Sequence, residues 1–143
     1  MLVSDILQSK GSAVISIAPG ESVAEAARLL TEKRIGALVV LEGERLAGIL
    51  SERDIVRALA RKGPGCLEGP LSALMTAKVV TCRPGHTIAE VMEMMTTSRI
   101  RHLPVVEKGR LAGMVSIGDV VKWRLEETQE EVRQMAAYVA GAA

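Results

Sequence analysis

The stretch Arg45-Leu46-Ala47-Gly48-Ile49-Leu50-Ser51-Glu52-Arg53-Asp54-Ile55-Val56 returns 65 positions later as Arg110-Leu111-Ala112-Gly113-Met114-Val115-Ser116-Ile117-Gly118-Asp119-Val120-Val121. In both copies an aliphatic, strand-like run hands over to Ser-x-x-Asp, and an apolar pattern of helical spacing follows. A strand that passes directly into a helix leaves backbone N–H groups unsatisfied at the helix start. Those N–H groups, with a hydroxyl and a carboxylate beside them, form a small polar site that the chain makes twice.

Working outward, the same elements flank both copies. Val14 to Ile17 reads as a strand, Pro19-Gly20 as a turn, and Ser22-x-x-Glu25 as a capping box in which hydroxyl and carboxylate each satisfy an orphan N–H. Val23, Ala26, Ala27, Leu30 and Ile35 then fall near helical spacing. Ala37 to Leu41 and Leu46 to Leu50 form a hairpin around Glu42-Gly43-Glu44, and Ile55, Val56, Leu59 and Ala60 mark a second amphipathic helix. After a joint at Cys66 to Ala77 the order repeats. Val79 to Cys82 is a strand, Pro84-Gly85 a turn, Thr87-x-x-Glu90 a capping box, and Leu103 to Val106 with Leu111 to Val115 a hairpin. Laid on Val79–Leu125 without a gap, Val14–Ala60 matches at 18 of 47 positions. This is an internal duplication, with too long a period and too few copies for a solenoid. Two half-domains facing each other across a pseudo-dyad are expected, since each half has one sheet face to bury.

Three segments lie outside the repeat. A short amphipathic lead-in, Val3 to Gln8, is echoed by Pro70-Leu71-Ser72-Ala73-Leu74-Met75-Thr76. A charged tail carries Leu125, Val132, Met135 and Val139 as a narrow stripe, so it is expected to pack along the body without forming its core.

Composition limits the function. The chain has 143 residues, 48% of them apolar, so a real core is available from Val, Ile, Leu, Ala and Met. With one Trp, one Tyr and no Phe, it lacks stacking platforms for single-stranded nucleic acid. A net charge of +1 without a block of one sign leaves no footprint for DNA or an anionic membrane. No apolar run spans a bilayer, and Met1-Leu2-Val3-Ser4-Asp5 does not begin a signal peptide. Cys66 and Cys82 form no CxxC and read as free thiols of a reducing cytoplasm, with Cys82 a small core residue.

The repeated Gly-Ile-Leu-Ser-Glu-Arg-Asp-Ile and Gly-Met-Val-Ser-Ile-Gly-Asp-Val, together with Arg99-Ile100-Arg101-His102-Leu103-Pro104-Val105-Val106, resemble the CBS domain family, whose tandem pairs are called Bateman modules. The resemblance covers Val3 to about Trp123 and is closest to stand-alone bacterial versions. It implies an α+β fold of two tandem repeats, each strand-helix-strand-strand-helix, related by a pseudo-two-fold and followed by a C-terminal helix. Repeat 1 with its lead-in takes residues 1–66, repeat 2 takes 67–125, and the helical tail takes 126–143. The family commonly binds adenosine-containing ligands in clefts between the halves, which implies AMP, ADP or ATP here, with NAD and S-adenosylmethionine as further candidates and no obligatory cofactor. Carried over, Asp54 and Asp119 hold the ribose with Ser51 and Ser116 beside them. Arg101, His102 and Arg53 look toward phosphate, and Ile49, Met114, Ala13 and Lys78 form the adenine wall. Repeat 1 has Gly36-Ala37 in place of Arg101-His102, and repeat 2 has Gly118 in place of Arg53, so the two sites are expected to differ. The family also implies a homodimer.

Plainer readings stand beside these. Ser-x-x-Asp at a helix start caps the helix with no ligand needed. Arg101 and His102 are strand neighbours on opposite faces, so one reaches a site while the other meets solvent or the partner half. Arg53 also suits a helix-surface ion pair, His86 an exposed turn, and Met92, Met94, Met95 and Met114 core packing. No metal cage, nucleophile elbow or phosphate-binding Gly loop is present in the sequence. The expectation is a non-enzymatic cytoplasmic sensor of an adenine nucleotide that acts on an unidentified protein target, without nucleic acid or membrane. Two other functions fit less directly: an interaction module with degenerate sites, and a nucleotide-metabolising enzyme.

Overall fold

The computed structural model describes residues 1–141, so Ala142 and Ala143 of the tail lie outside the described residues. The elements run α1 (Val3–Lys10), β1 (Ser16–Ile17), α2 (Val23–Lys33), β2 (Ala37–Glu42), β3 (Arg45–Ser51) and α3 (Glu52–Lys62). Two 3-10 turns, Pro64–Glu68 and Leu71–Ala73, precede α4 (Ile88–Ser98), β4 (His102–Glu107), β5 (Arg110–Ser116) and α5 (Ile117–Gly141).

In the first repeat β1 pairs parallel with β2, and β2 pairs antiparallel with β3 across a bulge at Val40/Leu41. The first strand of each repeat is shorter than its apolar run predicts. In the second repeat it shrinks to one parallel bridge, Cys82 to Val105. The cause is Pro104. In repeat 1 the Val39 N–H donates to the Ile15 carbonyl at 3.4 Å. Pro104 stands at the position matching Val39 and has no N–H to donate, so the ladder stops. Cys82 alone makes both bonds, its N–H to Pro104 O at 3.0 Å and its carbonyl from Val106 N at 2.8 Å. The β4–β5 hairpin turns through Lys108 and Gly109, both with positive φ, as a two-residue hairpin requires.

Helix starts follow the expected chemistry with one difference. Thr87 and Glu90 form a full capping box, Glu90 N to Thr87 Oγ1 at 3.1 Å and Thr87 N to Glu90 Oε1 at 3.0 Å. Ser22 accepts from Glu25 N at 3.0 Å, but the return half is missing because Arg28 takes the Glu25 carboxylate with Nε at 2.9 Å and an Nη at 2.6 Å. His86 is half-buried and not simply exposed, since its Nδ1 accepts from Arg83 N at 2.8 Å.

The side chains form two compact units, each with its own core. The unit around the first repeat buries Ile17, Val23, Leu30, Leu38, Leu50 and Ile55, and it also buries Leu71 from the joint. The unit around the second repeat buries Ile88, Val91, Leu103, Val105, Val115 and Val120, together with Val3 and Ile6 of α1. The lead-ins are therefore exchanged. α1 precedes repeat 1 in the chain but packs with repeat 2, held by Val3 N to His86 O at 2.9 Å and Ser4 N to Pro84 O at 3.0 Å. Burying a Val or Ile side chain contributes about 1.5–3 kcal/mol, so Val3 and Ile6 anchor α1 firmly to this unit.

As far as Gly141 the tail is the second half of α5, and its side chains beyond Glu127 do not pack along the body as expected. Trp123 lies against the core, and Glu127 meets the Met1 ammonium at 3.0 Å. Beyond it Val132, Met135, Tyr138 and Val139 are all exposed.

Candidate functional site

Each Ser-x-x-Asp closes a strand and starts a helix. Ser51 keeps an extended backbone (φ −104°, ψ 161°) and caps α3, its Oγ accepting from Asp54 N at 3.3 Å. Asp54 Oδ2 accepts in return from Ser51 N at 2.8 Å and from Ser51 Oγ at 3.0 Å. At α5 the same bonds recur, with Asp119 N to Ser116 Oγ at 3.2 Å, Ser116 N to Asp119 Oδ2 at 2.9 Å and Ser116 Oγ to Asp119 Oδ2 at 3.1 Å. The plain capping role is thus realised in both repeats. It uses only Oδ2. Oδ1 of either aspartate accepts no hydrogen bond from the described residues, and both side chains are partly exposed. A carboxylate has about four lone-pair sites, so each cap holds an oriented acceptor with capacity left over.

The residues singled out in sequence separate by unit. Ala13, Ile49, Ser51, Arg53, Asp54 and Lys78 belong to the unit of the first repeat, and Arg101, His102, Met114, Ser116 and Asp119 to that of the second. Ile49 and Met114 are half-buried, while Ala13, Lys78, Arg53 and Arg101 are exposed. His102 is half-buried at the start of β4, and Arg101, in the bend just before the strand, is exposed. The Arg101 carbonyl accepts from Ile117 N at 2.8 Å, which sets the Arg101-His102 pair beside the start of α5. At the matching place in repeat 1 the Gly36 carbonyl accepts from Glu52 N at 3.0 Å, with no basic side chain. Arg53 makes no ion pair among the described residues. Arg57 instead approaches Asp54 Oδ1 at 3.9 Å.

One site residue escapes the sequence reading. Lys10 Nζ donates to Asp119 Oδ2 at 2.7 Å and to the Met114 carbonyl at 3.0 Å. A glycine sets this up. A Cβ on Gly113 would lie 2.6 Å from Leu7 Cδ2, so the glycine leaves room for the Leu7 side chain of α1 to lie against β5. Lys10 follows Leu7 by one helical turn and so arrives at the end of β5. Repeat 1 does this differently. There a Cβ on Gly48 would meet Met75 Sδ at 2.7 Å and Thr76 O at 2.8 Å, and the joint is extended, with Thr76 N donating to Ile49 O at 2.9 Å. Backbone satisfies the carbonyl of Ile49, whereas an ammonium satisfies that of Met114. Lys78, three residues after Met75 as Lys10 is after Leu7, makes no ion pair among the described residues. The legible signal was the pair of lead-ins Leu7-Gln8-Ser9-Lys10 and Met75-Thr76-Ala77-Lys78, which align at a shift of 68 positions where the repeats use 65.

Burial pushes the Asp119 carboxyl up, but the Lys10 bond, the Ser116 donors and the Lys10 charge together hold it below the usual carboxylate range. Burial pushes the Cys82 thiol up to about 11, as suits an inert core thiol. Among the described residues no three His, Cys, Asp or Glu side chains gather to hold a metal ion, and no helix is long and apolar enough to cross a membrane. A groove of about 490 Å³ lies between the start of α4 and α5, lined in part by Glu126, Glu127, Glu130 and Glu131. Its carboxylates make it a poor seat for phosphate, and neither Ser-x-x-Asp lines it.

Similarity to known proteins agrees with this arrangement. Residues 3–61 and 71–126 match the family described as CBS domain. The CBS-domain containing protein ATU1752 from Agrobacterium tumefaciens superposes with a TM-score of 0.85 at 46% identity, covering 87% of this chain and 99% of that one. The CBS domain pair of protein MJ0100, in complex with 5-methylthioadenosine and S-adenosyl-L-methionine, superposes with a TM-score of 0.79 at 27% identity, covering 89% and 98%. The CBS domain protein PAE2072 from Pyrobaculum aerophilum, complexed with AMP, superposes with a TM-score of 0.74 at 29% identity, covering 83% and 89%. With its two Ser-x-x-Asp caps on two repeats of one α+β plan, the chain belongs to the CBS domain family and carries two of its domains in tandem.

Proposed function

We propose that this CBS pair is a non-catalytic regulatory module that binds an adenosine-containing ligand, AMP, ADP or ATP first among them and NAD after them. The observation that carries the reading is the half-used carboxylate in each cap: Oδ2 is committed to Ser51 or Ser116, and Oδ1 is left to accept. A ribose cis-diol supplies two adjacent O–H donors and fits such an acceptor. The half-buried Ile49 and Met114, with Ala13 and Lys78 beyond them, serve as the adenine wall. The helix starts beneath the two aspartates favour an anion, and Arg53 in one repeat and Arg101 with His102 in the other add donors for phosphate. The AMP in PAE2072 and the S-adenosyl-L-methionine in MJ0100 support the ligand class.

Such a module acts by differential binding, in which the ligand favours one conformation over another and a partner reads the difference. The partners are an unidentified protein target and a second copy of the chain. Val56 of α3 and Val121 of α5, at matching positions of the two repeats, are each exposed, and each suits a contact with a second copy.

Calorimetry with AMP and ATP tests the ribose assignment. Asp119→Ala weakens binding by roughly ten- to a hundredfold, the worth of a charge-assisted hydrogen bond. Unchanged affinity in the Asp54→Ala, Asp119→Ala double variant would remove the assignment.

A further inference from the structure

We propose that Lys10 sets the charge selectivity of the second repeat's site, so that it takes anionic adenosine ligands where the first repeat's site also accepts neutral and cationic ones. The inference rests on the ribose reading of Asp54 and Asp119 and adds to it which ligands each one takes.

The two aspartates have the same cap, the same strand and the same Oδ2 bonds from serine. Besides Arg101-His102 against Gly36-Ala37 and Gly118 against Arg53, they differ in the cation that touches the carboxylate itself. Asp119 carries an ammonium at 2.7 Å, held in place by a second bond to the Met114 carbonyl at 3.0 Å. Asp54 has only the Arg57 guanidinium at 3.9 Å, on a side chain more than half exposed and therefore screened. An ammonium has three donors, so two fixed bonds leave one N–H of Lys10 for a ligand. The Asp119–Lys10 pair is net neutral, whereas Asp54 keeps most of its negative charge.

A phosphate approaching Asp119 meets no net repulsion and finds a donor beside Arg101 and His102. A sulfonium approaching the same place meets the Lys10 charge. At Asp54 no ammonium stands beside the carboxylate, so a sulfonium is attracted where Asp119 with Lys10 turns it away, while the helix start and Arg53 still receive a phosphate. Lys10 also satisfies an edge carbonyl, but that structural role alone would not make affinity depend on ligand charge.

The test uses full-length protein reduced to one site at a time. Asp54→Ala leaves the second repeat's site, and Asp119→Ala leaves the first. Each is titrated by calorimetry with AMP, adenosine and S-adenosylmethionine. The Asp54→Ala protein is expected to prefer AMP over S-adenosylmethionine by about tenfold or more relative to the Asp119→Ala protein, the size of one unscreened charge contact at intermediate dielectric. Adding Lys10→Met to Asp54→Ala collapses that preference, and Lys10→Arg restores it. Lys10 is the partly exposed last residue of α1, and circular dichroism checks that the helix persists. Binding with an AMP to S-adenosylmethionine ratio unmoved by Lys10→Met overturns this inference alone. No binding of any of the three ligands to the parent protein overturns it together with the ribose reading.

Discussion

Replacing Gly48 by alanine places a methyl group where the first repeat's unit has no room for one. The added Cβ would lie 2.7 Å from Met75 Sδ and 2.8 Å from Thr76 O. Met75 is a flexible thioether and can swing aside, but Thr76 O is backbone. It accepts from Ile49 N at 3.0 Å while Thr76 N donates to Ile49 O at 2.9 Å. Relieving the clash means moving the joint off β3 and weakening both bonds. Overpacking of this kind costs about 1–3 kcal/mol. Each backbone hydrogen bond adds about 1 kcal/mol where it is lost. The joint also brings Leu71 into the core, so the displacement is not confined to the surface. Gly48→Ala is therefore expected to lower stability by about 2–4 kcal/mol. Gly113→Ala should cost less, because its Cβ meets only the side chain of Leu7. Urea unfolding gives the stability difference, and amide exchange reports the protection of Ile49 and Thr76 directly. A Gly48→Ala protein within about 0.5 kcal/mol of the parent, with both amides still protected, would refute the reasoning.

Two further outcomes follow from the second repeat's unit. The Asp119 carboxyl titrates below its unfolded value, so its stabilisation is fully present above that value, near pH 4, and is lost as pH falls through the folded value. Asp119→Asn should therefore be less stable than the parent at pH 7 and converge on it in urea titrations as pH falls through the folded value; a gap that stays constant with pH would refute this. Truncation after Thr128 removes only exposed side chains among the described residues and should leave the unfolding free energy within about 0.5 kcal/mol, whereas a loss above about 1 kcal/mol would show that the end of α5 is covered in solution.

The sequence by itself determined the duplication and the order of elements. A strand needs period two and a helix needs 3.6, and these periods are local, so the hairpins Ala37 to Leu50 and Leu103 to Val115 are read directly. The caps are equally local. Ser51 with Asp54, and Ser116 with Asp119, are three residues apart and meet whatever the rest of the chain does. Cys82 as a core residue follows from its place in an apolar run. The tertiary structure alone decided where the lead-ins go. Val3 and Ile6 would satisfy any apolar surface, so nothing in the short α1 says that it packs with repeat 2 and not with the repeat it precedes. The surface that receives it offers a space, the missing Cβ of Gly113 under Leu7, and a space leaves no periodic mark on the chain. Lys10 follows from that choice. Its bond to Asp119 joins residues 109 positions apart, which no local pattern links. The two repeats are therefore alike where the physics is local, in cap and strand, and unlike where it is tertiary, in the charge set beside each aspartate.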